Sequence, residues 1–349
     1  MPKLRLLVFC ALLLCLLPLS PARPAHAQAL DNLAACREFG FSTEEEFTAG
    51  VPTSDGNPIV SDGDLLSPDG QVCARNWELL APWEVRVDLG LDAVDLIDAE
   101  QRLVAFSTEI DDPAGSFTAG DLLATNGAII PNAALLTRFQ VRRNLGLDGL
   151  HFTGRPEDIV TFLKVAADTD PAEWLNGKLL PEWLARYEVD IWFSTEAQER
   201  RAAAVPIYDG DILSVRHGII VLAQDQLLPA TVPAGIPNRG VDFGADGIAG
   251  SRRPDRSVVR FSTEILFRKE PPFTDGDLLR VAAGVEKQHV DLIAAFQPRA
   301  RFLGIDALHI FIADDTGGGG DLVGDEPNTV NDGLYLPLVQ TAQQEGGGR

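Results

Sequence analysis

The sequence predicts an all-β fold: a β-propeller-like ring of about four four-stranded repeats with a small helical insertion. Three observations predict it. Four short elements recur in one order, four times along the chain. The recurring segments have strand length, and no long helical period runs through them. The chain enters on one partial repeat and leaves on its complement, so that its two ends would complete one unit between them.

The first element is Phe-Ser-Thr-Glu, at Phe41–Glu44, Phe106–Glu109, Phe193–Glu196 and Phe261–Glu264. A Gly-Asp-Leu/Ile-Leu box follows, at Gly63–Leu66, Gly120–Leu123, Gly210–Leu213 and Gly276–Leu279. A Leu/Ile pair comes third: Leu79-Leu80, Leu135-Leu136, Leu227-Leu228 and Leu292-Ile293. The fourth reads like LGLDAL, at Leu89–Val94, Leu145–Leu150 and Leu303–Leu308, and more weakly at Phe243–Ile248.

Each unit reads as about four short strands. Leu103–Glu109 is rich in strand formers, with Val104, Phe106 and Thr108 on one face. Thr125-Asn126-Gly127 separates two apolar segments, and Asn-Gly tolerates the positive φ of a tight turn. Pro68-Asp69-Gly70, Arg216-His217-Gly218 and Ala282-Ala283-Gly284 stand at the same place in the other units. The units run about 65 to 87 residues, against the ~40–50 of common propeller repeats. An irregular β-sandwich or a solenoid is therefore the alternative.

The stretch between Leu150 and Phe193 breaks the pattern. It is read either as a degenerate fifth unit around Phe162 or, preferably, as a helical insertion at about 165–188. Asp170 followed by Pro171 makes a good helix start, and Pro181-Glu182-Trp183 could open a second helix.

The N-terminus reads as a signal peptide over residues 1–27. Lys3 and Arg5 precede an apolar run from Leu6 to Leu17, and Ala25-His26-Ala27 offers a small-x-small cleavage site. The run is well short of the ~20 residues that span a bilayer. The mature protein is expected to be secreted or extracytoplasmic, with the β-repeat domain over 28–316. Residues 317–349 are expected to be a Gly-rich linker and C-terminal tail. Removal of the signal leaves Cys36 and Cys73, which an oxidising compartment would join. Such a bond would stabilise by about 3–4 kcal/mol on the loop-entropy scale.

Asp and Glu number 51 against 29 Lys and Arg, a net charge of −22. That balance argues against nucleic acid and anionic membrane surfaces, which reward basic clusters. No segment after the signal is apolar enough to span a membrane.

The FSTE, GDLL and LGLDAL elements resemble those of uncharacterised exported bacterial repeat proteins, over about residues 39–313. The resemblance implies a secreted β-repeat protein and no particular activity. The terminal Leu334-Tyr335-Leu336-Pro337-Leu338-Val339 is similar to short C-terminal tails of some exported bacterial proteins, which implies surface association.

Common hydrolase signatures are absent: there is no Gly-x-Ser-x-Gly, His-Glu-x-x-His or P-loop. His151, His217, His289 and His309 show no ligand spacing. Asp62 and Asp64, Asp209 and Asp211, and Asp275 and Asp277 could supply hard oxygen ligands for Ca²⁺. The favoured reading is that the second Asp of each box bonds backbone donors at the turn, since Ala119 replaces the first Asp in one copy. Glu44, Glu109, Glu196 and Glu264 share one repeat position. In a ring they could converge, attract a cation or raise one member's pKa, although their recurrence in every unit favours local backbone caps or pairing with a neighbouring Arg. Trp174, Trp183 and Trp192 cluster in the irregular segment and are the candidate partner contacts, although at helical spacing such residues more often face the core.

The expected function is an exported, non-enzymatic binding or surface scaffold for a protein or glycan partner, with no cofactor beyond an optional Ca²⁺. A glycan hydrolase using channel carboxylates and a Ca²⁺-stabilised envelope module are the alternatives. A hydrolase would show a carboxylate pair at non-repeat positions in a pocket.

Overall fold

A computed structural model describes residues 30–201 and 203–312. The expected signal peptide and the tail from residue 317 lie outside the described residues. The described chain is mostly β, with four antiparallel four-stranded sheets. Sheet I is β18-β1-β4-β5, from Ile305–Ile310, Phe39–Thr43, Leu65–Ser67 and Gln71–Ala74. A small hairpin of β2 (Phe47–Thr48) and β3 (Ile59–Val60) lies between β1 and β4 in sequence. Sheet II is β6 (Val94–Asp98), β7 (Leu103–Phe106), β8 (Leu122–Ala124) and β9 (Ile129–Ile130). Sheet III is β10 (Leu150–Thr153), β11 (Asp190–Phe193), β12 (Ile212–Ser214) and β13 (Ile219–Leu222). Sheet IV is β14 (Ile248–Ala249), β15 (Arg260–Phe261), β16 (Leu278–Arg280) and β17 (Gly284–Lys287).

The repeated sequence gives one register. The Phe of each Phe-Ser-Thr-Glu element faces the apolar residue two past the Asp of an LGLDAL element. The pairs are Phe41–Leu308, Phe106–Val94, Phe193–Leu150 and Phe261–Ile248. Its other neighbour is the last Leu of the Gly-Asp box: Leu66, Leu123, Leu213 or Leu279. Sheets I, III and IV carry a one-residue irregularity in the following hairpin, whereas the shorter Asn126-Gly127 hairpin of sheet II pairs without one. Sheet I joins the first described strand to the last.

The inner strands touch in cyclic order: β18 with β6, β6 with β10, β10 with β14, and β14 with β18. Between neighbouring sheets lie apolar clusters, each holding one of the four phenylalanines. Phe106 packs between sheets I and II, Phe193 between II and III, Phe261 between III and IV, and Phe41 between IV and I. All four are fully buried.

A single helical turn follows the last strand of each sheet: α1 (Asn76–Leu79), α2 (Asn132–Leu135), α6 (Gln224–Leu227) and α7 (His289–Ile293). The Leu/Ile pairs end or immediately follow these turns and are buried. The second Asp of each Gly-Asp box holds the turn in place. Asp64, Asp121 and Asp277 accept the N–H of Asn76, Asn132 and His289 at 3.0, 2.8 and 2.9 Å. Their other oxygens accept from Ser61, Thr118 and Thr274 at 3.0, 2.8 and 2.8 Å. Asp211 does the same with Tyr208 at 3.1 Å and Gln224.

The irregular stretch is helical: α3 (Pro156–Ala167), α4 (Pro171–Trp174) and α5 (Leu179–Arg186). It starts at Pro156, earlier than about 165, because Pro at the first position and Glu157 and Asp158 in the first turn favour a helix start there. Asp170 caps α4 by accepting from Ala172 N–H at 2.9 Å. The disulfide between Cys36 and Cys73 is formed, and both half-cystines lie in the apolar cluster between sheets I and II. No described helix is long and apolar enough to cross a membrane.

Candidate functional site

The LGLDAL elements lead into the four inner strands, and their lone Asp residues meet where those strands come together. Asp92, Asp148, Asp246 and Asp306 are only 5, 3, 6 and 6 % exposed. Each lies in the field of its neighbours: Asp148 feels Asp92 and Asp246, and Asp306 feels Asp246 and Asp92.

Above this floor stand Glu44, Glu109, Glu196 and Glu264, which are open to solvent. They also lie around a cycle. Glu44 feels Glu109, Glu109 feels Glu196, and Glu264 feels both Glu196 and Glu44. Each Glu leans toward the Asp of the preceding sheet. Glu196 stands within hydrogen-bonding reach of Asp92, and Glu109 of Asp306. Glu264 faces Asp148 and Glu44 faces Asp246 electrostatically. One oxygen from each of Asp92, Asp148 and Glu196 lies within 4.8 Å of the others.

Local sequence dictates this geometry. The Thr of each Phe-Ser-Thr-Glu element donates to the carbonyl two residues on, turning the chain just after the strand. Thr43 bonds Glu45, Thr108 bonds Ile110, Thr195 bonds Ala197 and Thr263 bonds Ile265. Each Glu then lies over the Gly of its own sheet's LGLDAL element. A Cβ at Gly90, Gly146, Gly244 or Gly304 would come 2.5, 2.5, 2.5 or 2.2 Å from the carboxyl carbon of Glu109, Glu196, Glu264 or Glu44. Only glycine permits that approach. Asn76 braces the same loop, donating to Gly90 O at 2.9 Å and accepting from Leu89 N–H at 3.0 Å. Asn132 does so for Gly146 and Leu145. The element's Ser seals the seam to the next sheet: Ser42 donates to Leu91 O at 2.9 Å and Ser107 to Leu147 O at 2.7 Å.

Desolvation, full for the Asp residues and partial for the Glu residues, raises every carboxyl of the cluster, and repulsion from neighbouring acids adds to it for all but Glu196. The four Asp residues lie well above the usual carboxylate range. Glu44 and Glu264 are pushed up to about 7. Among the described residues, none of the eight pairs with a basic side chain; the charged groups that shift them are other acids. Four of the buried carboxylates also retain oxygens without a hydrogen-bond partner: Asp92 Oδ2, both oxygens of Asp148, Asp246 Oδ2 and Asp306 Oδ2.

Three residues beyond each Asp the fourfold pattern breaks. The positions hold Asp95, His151, Ala249 and His309. Arg252, just past β14, donates to both carboxylate oxygens of Asp95, to Phe152 O and to Leu96 O. His309 Nδ1 lies 3.0 Å from Asp95 Oδ1. His151 Nε2 lies 3.0 Å from Ser251 O. Burial pushes Asp95 upward, but Arg252 and His309 hold it well below the usual range. Burial lowers His151 to about 4, so that it stays neutral. This side of the acidic floor is thus closed by a fully engaged polar cluster.

The chain matches no protein-family model, no curated protein and no solved structure.

The sequence-derived candidates fall in three places. Asp64, Asp211 and Asp277 are the backbone-bonded staples described above. Asp62, Asp209 and Asp275 lie near the Glu rim, where their charges act on Glu109, Glu264 and Glu44 respectively. Asp209 also hydrogen-bonds Asp242, which burial and that contact push up to about 8. Trp174 and Trp192 are buried, and Trp183 is partly exposed, packed edge-on against Trp174 at 6.2 Å. The Glu residues do converge, but on a set of Asp residues that sequence reasoning passed over. The signal for those was a lone acid at the same place in four apolar elements.

Proposed function

We propose that the chain is an exported, non-enzymatic binding scaffold built as a four-bladed β-propeller, and that its acidic face takes cationic ligands, foremost basic segments of a protein partner. One observation carries the reading: eight carboxylates from equivalent positions of four sheets converge without a basic side chain among them. The cyclic contacts of β18, β6, β10 and β14 support a ring whose axis passes through this cluster. The disulfide fits an extracytoplasmic location.

The same equivalence argues against a glycan hydrolase. Such an enzyme needs two carboxyl groups in different roles, one kept protonated and one ionised. Here each acid of the cluster recurs at the same position in all four units, so no single pair is set apart by sequence. The acid that breaks the pattern, Asp95, is engaged by Arg252 and His309.

The test uses hexalysine as a probe of the acidic face, in titration calorimetry at low ionic strength. Saturable binding that weakens with salt, and is lost when Glu44, Glu109, Glu196 and Glu264 are all changed to Gln, supports the reading. No binding by the unaltered protein, or binding indifferent to those four changes, refutes it.

A further inference from the structure

Resting on that reading of the acidic face, we propose that Asp92, Asp148, Asp246 and Asp306, with Glu44, Glu109, Glu196 and Glu264 above them, bind one hard divalent cation of calcium's size. The floor supplies the independent sign of a ligand. Asp148 has two oxygens without a hydrogen-bond partner, and Asp92, Asp246 and Asp306 have one each, in side chains more than nine-tenths buried. A buried carboxylate oxygen without a partner costs free energy that a bound cation would offset.

The donor set chooses the kind of cation. All eight groups are carboxylates, and the nearest imidazoles, His151 and His309, already face Asp95, Ser251 and Arg37. Oxygen-only ligation suits hard cations and disfavours zinc or copper. The spacing suits a shared ion. Oxygens on opposite sides of a Ca²⁺ ion stand about 4.6–5.2 Å apart, given bonds of about 2.3–2.6 Å. The oxygens of Asp92, Asp148 and Glu196 lie no farther than 4.8 Å from one another. These three carboxylates, with water and the other acids of the cluster around them, can make up the six to eight oxygens of Ca²⁺, whereas Mg²⁺ keeps several waters and takes only one or two carboxylates.

The arrangement also sets the route. The Glu rim is open to solvent, and the far side is closed by Arg252 on Asp95. A cation enters past the glutamates and loses its water against the aspartates.

The test is titration of the chelator-treated, disulfide-intact protein with CaCl₂ and with MgCl₂, by calorimetry and by thermal unfolding. One Ca²⁺ should bind with Kd on the order of 10⁻⁴ M or tighter, raise the unfolding temperature by mass action, and bind at least ~10-fold better than Mg²⁺. Asp148→Asn keeps the shape and relieves repulsion, so it should fold, as circular dichroism will report, and lose the Ca²⁺ response. Glu196→Gln at the exposed rim provides a second, milder variant that should weaken Ca²⁺ by ~10-fold. No Ca²⁺ binding, equal binding of Mg²⁺, or binding unchanged in both variants overturns the proposal. Hexalysine separates the two readings. If it binds the unaltered protein while Ca²⁺ does not, the metal site fails and the scaffold stands. If Ca²⁺ binds in the predicted way and hexalysine does not, the metal site stands and the partner reading fails.

Discussion

Arg252 and Asp95, 157 residues apart in sequence, meet in a two-pronged ion pair with nitrogen–oxygen distances of 2.5 and 2.9 Å. The same guanidinium reaches the carbonyls of Leu96 and Phe152, so one side chain from beside β14 ties β6 and β10 together. Asp95 completes the set by accepting from Phe152 N–H at 2.7 Å. The pair sits where the repeat pattern breaks, and it is the local opposite of the acid-only cluster three residues away.

Removing only the cation from that pair leaves a buried carboxylate without its partner. Arg252→Met should destabilise by about 3–5 kcal/mol, read as a lower urea midpoint. Asp95→Asn combined with Arg252→Met should recover part of the loss. A midpoint for Arg252→Met equal to that of the unaltered protein would show the pair to be energetically idle.

The four phenylalanines occupy equivalent buried positions between sheets, so truncating any one should open a cavity. Phe106→Ala should cost about 3–5 kcal/mol, and Phe193→Ala and Phe261→Ala should cost similar amounts. Chemical denaturation of the three variants checks this. A spread from zero to the full cost would mean that the sheets do not share one packing role.

The Cys36–Cys73 bond closes a 37-residue separation. Changing both to Ser should lower stability by about 3–4 kcal/mol. Thiol labelling of the unreduced folded protein should find neither residue reactive; modification of both would contradict the bond.

His151 gives a pH dependence of known sign. Burial holds it at about 4 in the fold, against about 6.5 unfolded. Asp95 opposes that shift, while Arg252 and His309 add to it. Between those values the unfolded chain binds the extra proton, so stability falls as pH drops from about 7 toward 4. The full effect is about 3 kcal/mol. Urea midpoints at pH 7.5 and 4.5 should draw closer in His151→Gln than in the unaltered protein. An unchanged difference would place the proton elsewhere.

The strand plan was legible because it is periodic. Phe41, Phe106, Phe193 and Phe261 follow the same alternation, and each lands in the same register. The staple role of Asp64, Asp211 and Asp277 followed from turn chemistry alone. The Asp95–Arg252 pair was not legible, because its members are far apart and have no counterparts in the other units. The acidic floor was half legible. Recurrence marked Glu44 and its equivalents, but their convergence with Asp92, Asp148, Asp246 and Asp306 depends on inner strands meeting in a cycle, which no single repeat reveals. Trp174 and Trp183 drew attention by residue type, yet helix packing uses them chiefly against Phe162 and Tyr187.

The central claim, that fourfold carboxylates make one cation site between the inner strands, is tested most directly by a crystal structure of the protein grown with CaCl₂ and measured for anomalous scattering. The account predicts a single strong peak within about 2.3–2.6 Å of oxygens from Asp92, Asp148, Asp246 and Asp306, with the glutamates closing over it. A peak at the Gly-Asp boxes around Asp62, Asp209 or Asp275 instead, or an empty floor at saturating Ca²⁺, would contradict it.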